Sequence, residues 1–356
     1  MRLDFLNAVY AKNLMIALHH RTLALLGAFG ALSAFAADYS VVARYPIGGD
    51  NSSYDYLRVD PVARRIYVAH QKRFEVLDAD SGKKIGEIAP AQRAHGVALS
   101  TETGHGFASS GVDDVVTMFD LKTLATIKVI KSTGSNPDAI EYDPETKRIY
   151  AANHGSGGIT VIDPASGDVV ATIPVEGKLE GIVFDGRGQG YVNVEDKSSV
   201  AVFDTHTFKA KAVWSSAPGE GGTGLGIDVA HHRIFSACAN NKVVVFNTDT
   251  GKVVATPASG EDPDGLVFDP KSGNIFTSNP DGTMTVIHED SPDKYSAAQT
   301  VKTAVGCKTI ALDEKTGRLV TCAPQYGPKP PPVKGGAAPR APILAGTFEV
   351  YVVGTK

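Results

Sequence analysis

Asn136-Pro137-Asp138-Ala139-Ile140-Glu141-Tyr142-Asp143-Pro144, then Arg148-Ile149-Tyr150-Ala151-Ala152-Asn153, then Ile159-Thr160-Val161-Ile162-Asp163, then Val169-Val170-Ala171-Thr172-Ile173-Pro174-Val175, is one unit of a repeating chain. Each run has strand length, is rich in Val, Ile, Thr and Tyr, and is bounded by Asp-Pro or Ser-Gly turn residues. The unit recurs seven times. Its first run ends at Asp60, Ser100, Asp143, Asp185, Asp228, Asp269 and Asp313, at intervals of 40–44 residues. Its third run ends at Asp78, Asp120, Asp163, Asp204, Asn247 and His288, at intervals of 41–43 residues. Two independent anchors share one period, which argues against coincidence. Four short strands per repeat of this length make the blade of a β-propeller. The expected fold is therefore all-β, a seven-bladed β-propeller with four antiparallel strands per blade.

The ends of the repeat array predict a closed ring. The seventh unit finishes with Phe348-Glu349-Val350-Tyr351-Val352, leaving too little chain for a fourth strand. Val41-Val42-Ala43-Arg44-Tyr45-Pro46-Ile47 matches Val169–Val175 in character and supplies the missing strand from the other terminus. Pairing it there removes an exposed sheet edge.

Residues 1–36 stand apart from the repeats. Leu23–Leu32 is a short apolar run behind Arg21, and Ala34-Phe35-Ala36 is a small-x-small cleavage signal, so this segment is expected to be a signal peptide cut near Ala36/Ala37. Its long leading region makes Met15 an alternative start. The run is too short to span a bilayer. The mature chain, residues 37–356, is expected to be periplasmic or secreted. The segment holds three basic residues and one acidic residue, so its removal takes the formal net charge from −4 to −6. That balance disfavours phosphate-driven nucleic-acid binding. A monomer is expected.

Cys307 and Cys322 flank the first hairpin of the seventh unit. If its turn centres on Glu314–Gly317, they lie nearly opposite one another, and an oxidising compartment predicts a disulfide between them. Two reduced, buried thiols are the alternative. Cys238 then reads as a small buried apolar residue.

The second run of each unit ends in a four-residue box: Tyr67-Val68-Ala69-His70, Phe107-Ala108-Ser109-Ser110, Tyr150-Ala151-Ala152-Asn153, Tyr191-Val192-Asn193-Val194, Phe235-Ser236-Ala237-Cys238 and Phe276-Thr277-Ser278-Asn279, with Val320-Thr321-Cys322-Ala323 as the seventh. With the Asp-Pro turns and the Val-x-Val-Ile-Asp runs, this resembles the YVTN-type β-propeller repeat family, the group that includes YncE-like periplasmic proteins. The resemblance covers the mature chain. It implies the propeller fold, while related seven-bladed propellers include lactonases, a streptogramin lyase and subunits of quinone or haem enzymes. Fold alone does not choose among these. The box itself has a physical reading: its aromatic fills the wedge between sheets and its small residues let blades approach.

A second register carries the chemistry. Five residues before each first-run anchor lie Asp55, His95, Asp138, Glu180, Thr223, Asp264 and Lys308. By symmetry these open the innermost strand of every blade and should converge on one mouth of the central channel. The same face receives the loops after the second strands, with His70, Gln71, Asn153, His154, Glu195 and Asn279. Four carboxylates around a narrow opening repel, so they are expected to raise one another's pKa or to attract a cation. The candidate cofactor is a divalent cation held by oxygen ligands of Asp138, Glu180 and Asp264. A wet polar channel is the alternative.

Other patterns exclude chemistry rather than suggest it. The sequence contains no Gly-x-Ser-x-Gly elbow, phosphate-binding loop or Cys-x-x-Cys-His. His154-Gly155-Ser156-Gly157-Gly158 lies between two strands and reads as a turn. His231-His232 reads as solvated turn sequence on the opposite face. Gln325–Gly346 is a Pro- and Gly-rich insertion carrying Lys329, Lys334 and Arg340, read as extended or disordered. It is a flap over the mouth, a tether or a surface loop. The leading functional expectation is a non-catalytic scaffold that binds a small ligand or a periplasmic protein at the channel mouth. The rival is a lactonase-like hydrolase or lyase, with His95 or His70 as base and a ring-bound cation.

Overall fold

A computed structural model describes residues 38–331 and 339–355. The described residues form seven four-stranded antiparallel sheets. Blade 1 comprises Tyr54–Asp60, Arg65–His70, Arg73–Asp78 and Lys84–Ile88. The next five blades repeat that up-and-down order. Their innermost strands pack each on the next, and that of the seventh blade (Ile310–Asp313) packs back on that of the first. The array is a closed seven-bladed β-propeller, as the repeat predicts.

Closure uses the N-terminal strand. Tyr39–Pro46 pairs antiparallel with Glu349–Thr355, from Tyr39 opposite Thr355 to Pro46 opposite Glu349. The Ile47 N–H continues the pairing by donating to the Phe348 carbonyl at 2.9 Å. The compact unit runs from Ala37 to Lys356. The segment read as a signal peptide lies outside the described residues.

The box aromatics do fill the wedges. Tyr67, Phe107, Tyr150, Tyr191, Phe235 and Phe276 are all buried. Tyr150 of blade 3 meets Phe184 of blade 4 at 4.8 Å between ring centroids. Each such side chain contributes roughly 1.5–3 kcal/mol by burial alone. The acidic anchors close turns: Asp60 Oδ1 accepts the N–H groups of Val62 and Ala63 at 2.9 and 2.8 Å. These are the self-capping turns that Asp favours.

Two expectations for the seventh blade need correction. Cys307 and Cys322 form no disulfide; they and Cys238 are free and buried. The hairpin pairs Ile310 with Thr321, so Cys322 falls opposite position 309 rather than 307. Cys307 sits before the strand, in a turn that its N–H closes on the Ala304 carbonyl at 3.0 Å. Burial raises both thiols' pKa values. The Pro-rich insertion has a paired stem. Tyr326 bridges Ile343, and Gly327 and Leu344 donate across it to Pro342 and Gln325. Tyr326 Oη also meets Tyr54 Oη at 2.8 Å, anchoring the stem next to the first inner strand. Lys334 lies outside the described residues.

Candidate functional site at the channel mouth

An irregularity at the start of the inner strands shapes the site. In blade 1, Tyr54 pairs with His70 and Leu57 with Val68, so one extra residue is accommodated at Asp55-Tyr56. The same register shift falls at His95-Gly96, Asp138-Ala139, Glu180-Gly181 and Thr223-Gly224. A bulge re-aims side chains that regular alternation would send to opposite faces. Here it recurs in five blades, at the residues of the predicted ring.

Six of the seven ring residues join one arc. Lys308 Nζ lies 3.0 Å from Asp264 Oδ2 and 3.4 Å from Asp55 Oδ1. Asp55 Oδ2 meets His95 Nδ1 at 2.5 Å, and His95 Nδ1 lies 3.4 Å from Asp138 Oδ1. Asp138, His154 and Glu180 then gather with one donor atom each within 4.8 Å of the others. His154 Nδ1 is 2.8 Å from Glu180 Oε1, close enough to pair though not aligned as a hydrogen bond. Thr223 leaves the arc, its hydroxyl donating to the Pro263 carbonyl at 2.9 Å.

The electrostatics follow from this sequence of contacts. Burial, and then the charges of Asp55 and Glu180, push the Asp138 carboxyl well above its usual range. Asp138 Oδ1 has no hydrogen-bond partner among the described residues. Burial also raises Asp264, although Lys308 opposes the shift. For Asp55 burial acts in the same direction, but Lys308 and His95 outweigh it and hold the carboxyl low. Lys308 is driven down by burial and held well above its normal value by Asp55 and Asp264. Contact with Glu180 raises His154.

Several expected members sit elsewhere. Asn153 turns into its own blade, where its amide nitrogen donates to Gly158 O and Thr160 Oγ1, while its oxygen accepts from Ser132 in the connection from blade 2. Asn279 does the same with Thr283 and Thr285. Each amide nitrogen is satisfied by its own blade, and both residues are fully buried. His70 is buried between Phe348, at 4.5 Å, and Glu75, 3.6 Å from its Nδ1. Gln71 takes a hydrogen bond from Ser53. Glu195 opens a short 3-10 turn and acts on His154 only through its charge. Asp264 pairs with Lys308, and the donor atoms that lie within 4.8 Å of one another are those of Asp138, His154 and Glu180 rather than those of the expected set Asp138, Glu180 and Asp264. The two candidate bases are also enclosed: His95 is 2% exposed, with Nε2 facing Asn136 Oδ1 at 3.2 Å, and His70 is 1% exposed.

The structure adds residues the ring register did not reveal. Tyr56 crosses the channel from blade 1 and donates to Glu180 Oε2 at 3.0 Å. Below it lies a cavity of about 520 Å³, whose wall includes Arg58, Glu141, Phe184, Ile227 and Phe268. Tyr56 is thus the floor of the mouth and part of the cavity wall. Arg58 pairs with Glu141 across that wall and donates to the Val97 carbonyl. The third box residue also matters. Ser109, Asn193 and Ser278 donate to the carbonyls of Asp138, Thr223 and Lys308 in the following blades. They pin the ring backbone from behind. Gly111 is required at His95: a Cβ there would lie 2.1 Å from Asn136 Oδ1 and 2.6 Å from His95 Nε2.

A second cluster lies at the turn after the inner strand of blade 5. His231 Nδ1 is 2.6 Å from Asp228 Oδ2 and 3.4 Å from Glu289 Oε1. His232 pairs with Asp249 at 2.8 Å. Both histidines read from the sequence as turn residues therefore have acidic partners.

Comparison with known proteins bears on the fold. No protein-family model matches the chain, and no curated protein matches it. Among solved structures, a chain of the structure titled "Crystal Structure of Mitotic Checkpoint Complex" superposes with a TM-score of 0.70 at 13% identity, covering 80% of this chain and 89% of that one. The likeness at that identity is one of fold, and it places this chain among the β-propellers.

Proposed function

We propose that the chain is an exported propeller scaffold of the YVTN repeat type that binds a positively charged or hydrogen-bond-donating ligand at its channel mouth. The observation that carries this reading is the arc itself. Side chains from six blades meet in one network, yet Asp138 Oδ1, with its side chain only 9% exposed, is left without a hydrogen bond among the described residues. Convergent polar groups in a concavity are the usual form of a ligand site, and an unpaired buried acceptor costs about 1–3 kcal/mol that a ligand donor would recover. Export is supported by the Leu23–Leu32 run and the Ala34-Phe35-Ala36 signal. The hydrolase or lyase reading has less support, because His95 and His70 are buried and engaged.

The test is thermal stabilisation of the purified protein by a panel of inorganic cations and small organic amines. Saturable stabilisation by at least one of them, lost in Asp138→Asn, is expected. Stabilisation unchanged in Asp138→Asn and in Asp264→Asn would remove the mouth as the site.

A further inference from the structure

We infer that Asp138, His154 and Glu180 form a site for one divalent cation of the zinc class. The inference rests on the mouth being the binding surface and names the chemistry of its occupant. The three groups come from separate segments: the inner strand of blade 3 (Pro137–Asp143), the loop after its second strand (Arg148–Asn153), and the inner strand of blade 4 (Leu179–Phe184). They supply one imidazole nitrogen and two carboxylate oxygens, all within 4.8 Å of one another. Ligand atoms about 2.0–2.2 Å from one zinc ion stand roughly 3.5 Å apart, so only a small closure is needed.

The second observation is independent of that clustering. Asp138 Oδ1, in a side chain 9% exposed, has no hydrogen-bond partner among the described residues, and His95 Nδ1, 3.4 Å away, is engaged by Asp55 at 2.5 Å. Buried polar atoms are paired as a rule, and an exception calls for an explanation such as an ion. His154 Nδ1 faces the same space without an aligned hydrogen bond. Tyr56 holds Glu180 through Oε2, leaving Oε1 on the side of His154. Such an outer contact orients a ligand carboxylate.

Neighbouring groups narrow the choice. Asp55 and His95 satisfy one another at 2.5 Å, and Lys308 adds its charge to Asp55. Lys308 likewise occupies Asp264. A cation is therefore drawn to the Asp138 end of the arc and repelled from the Lys308 end. One nitrogen among three ligands favours zinc over calcium or magnesium, which take oxygen sets. Three protein ligands leave a fourth position open.

Isothermal titration of the purified full chain, stripped with chelator, tests the site with Zn²⁺, Mn²⁺ and Ca²⁺ as probes. One Zn²⁺ per chain is expected, bound more tightly than Mn²⁺, with Ca²⁺ weakest. Asp138→Asn and His154→Gln should each weaken Zn²⁺ by about 100-fold or more, since even an outer-shell partner is worth 10–100-fold. Circular dichroism confirms that each variant is folded. Glu289→Gln, in the cluster after blade 5, should bind Zn²⁺ as the parent does. Absence of Zn²⁺ binding, tighter Ca²⁺ than Zn²⁺, or loss only in Glu289→Gln would each overturn the inference. If Zn²⁺ fails while an organic amine still stabilises the chelated protein through Asp138, the binding reading survives without the metal.

Discussion

Tyr56 of the first blade donates a hydrogen bond to Glu180 of the fourth across the channel, with 3.0 Å between Oη and Oε2. The equivalent positions in the other blades are Gly96, Ala139, Gly181, Gly224, Gly265 and Thr309, so one large side chain has the space of seven. Two of those glycines are also needed for blade contact: a Cβ on Gly224 would lie 2.5 Å from Leu266 N, and one on Gly181 would lie 2.9 Å from Leu225 N. Tyr56→Phe removes a hydrogen bond to a carboxylate in a site that is partly buried. The expected cost is about 1–2 kcal/mol in urea unfolding. An unchanged midpoint would mean that the bond contributes nothing.

Lys308 is the cation that makes two of the ring carboxylates tolerable. Lys308→Met leaves Asp55 and Asp264 facing one another's charge; removal of one partner from a fully buried pair costs about 3–5 kcal/mol, and with Lys308 32% exposed to solvent the expected cost is lower, about 2–3 kcal/mol. The double variant Lys308→Met/Asp264→Asn should recover part of that loss. A double-mutant cycle showing no coupling would contradict the pairing.

Two buried glutamates should give opposite pH dependences. Burial, and then the neighbouring Asp228, raise the Glu289 carboxyl from 4.5 to about 7. Below about pH 4.5 both folded and unfolded chains hold this proton. Between there and pH 7 only the folded chain holds it, so stability falls as pH rises, by about 3 kcal/mol over the window. Glu289→Gln should flatten that slope and stabilise the protein at pH 8. A slope that persists in the variant would assign it to another group.

Glu75 shows the reverse. Burial opposes its ionisation, but His70, Lys84 and Arg73 outweigh it and bring the carboxyl from 4.5 down to about 2. Stability from this group is present above pH 4.5 and lost as pH falls toward 2, again about 3 kcal/mol. Urea midpoints measured from pH 5 down to pH 2 should therefore drop less steeply in Glu75→Gln, which starts from a lower stability at pH 5. Equal slopes would refute the assignment.

The period of the repeat made the ring residues legible, because equivalent positions in a closed array must converge. Asp55, His95, Asp138, Glu180, Asp264 and Lys308 follow from counting alone. What counting misses is where a side chain turns. Asn153 and Asn279 end their boxes in the same way that His70 does, yet each finds threonine partners within its own blade. His154, one residue further on, reaches Glu180 instead. The shift to Asp138, His154 and Glu180 depends on the bulges, which alternation of apolar residues does not announce. The ring register passed over Tyr56, although a lone aromatic among Gly96, Ala139, Gly181, Gly224, Gly265 and Thr309 is a signal that could have found it. The disulfide expectation failed because symmetry about the Glu314–Gly317 turn ignores the earlier turn that removes Cys307 from the ladder.

The third box residue provides a further test of how the mouth is held. Asn193 is fully buried; its amide nitrogen donates to the carbonyls of Thr223 and Gly224 at 2.9 and 3.1 Å, and its oxygen accepts from Ser236 at 2.8 Å. It therefore ties the second strand of blade 4 to the inner strand of blade 5 through two bonds and to that blade's second strand through a third. Asn193→Ala strands two carbonyls and a hydroxyl away from water, and the expected cost is about 2–4 kcal/mol. Asn193→Asp should be worse, since a carboxylate cannot donate and would face both carbonyls with its charge. The position in blade 3 is Ala152, which has no such duty, so Ala152→Gly should cost only about 1 kcal/mol. Urea unfolding of the three variants measures the contrast. If Asn193→Ala costs no more than Ala152→Gly, the carbonyls are being satisfied by other means and the blades are held by packing alone.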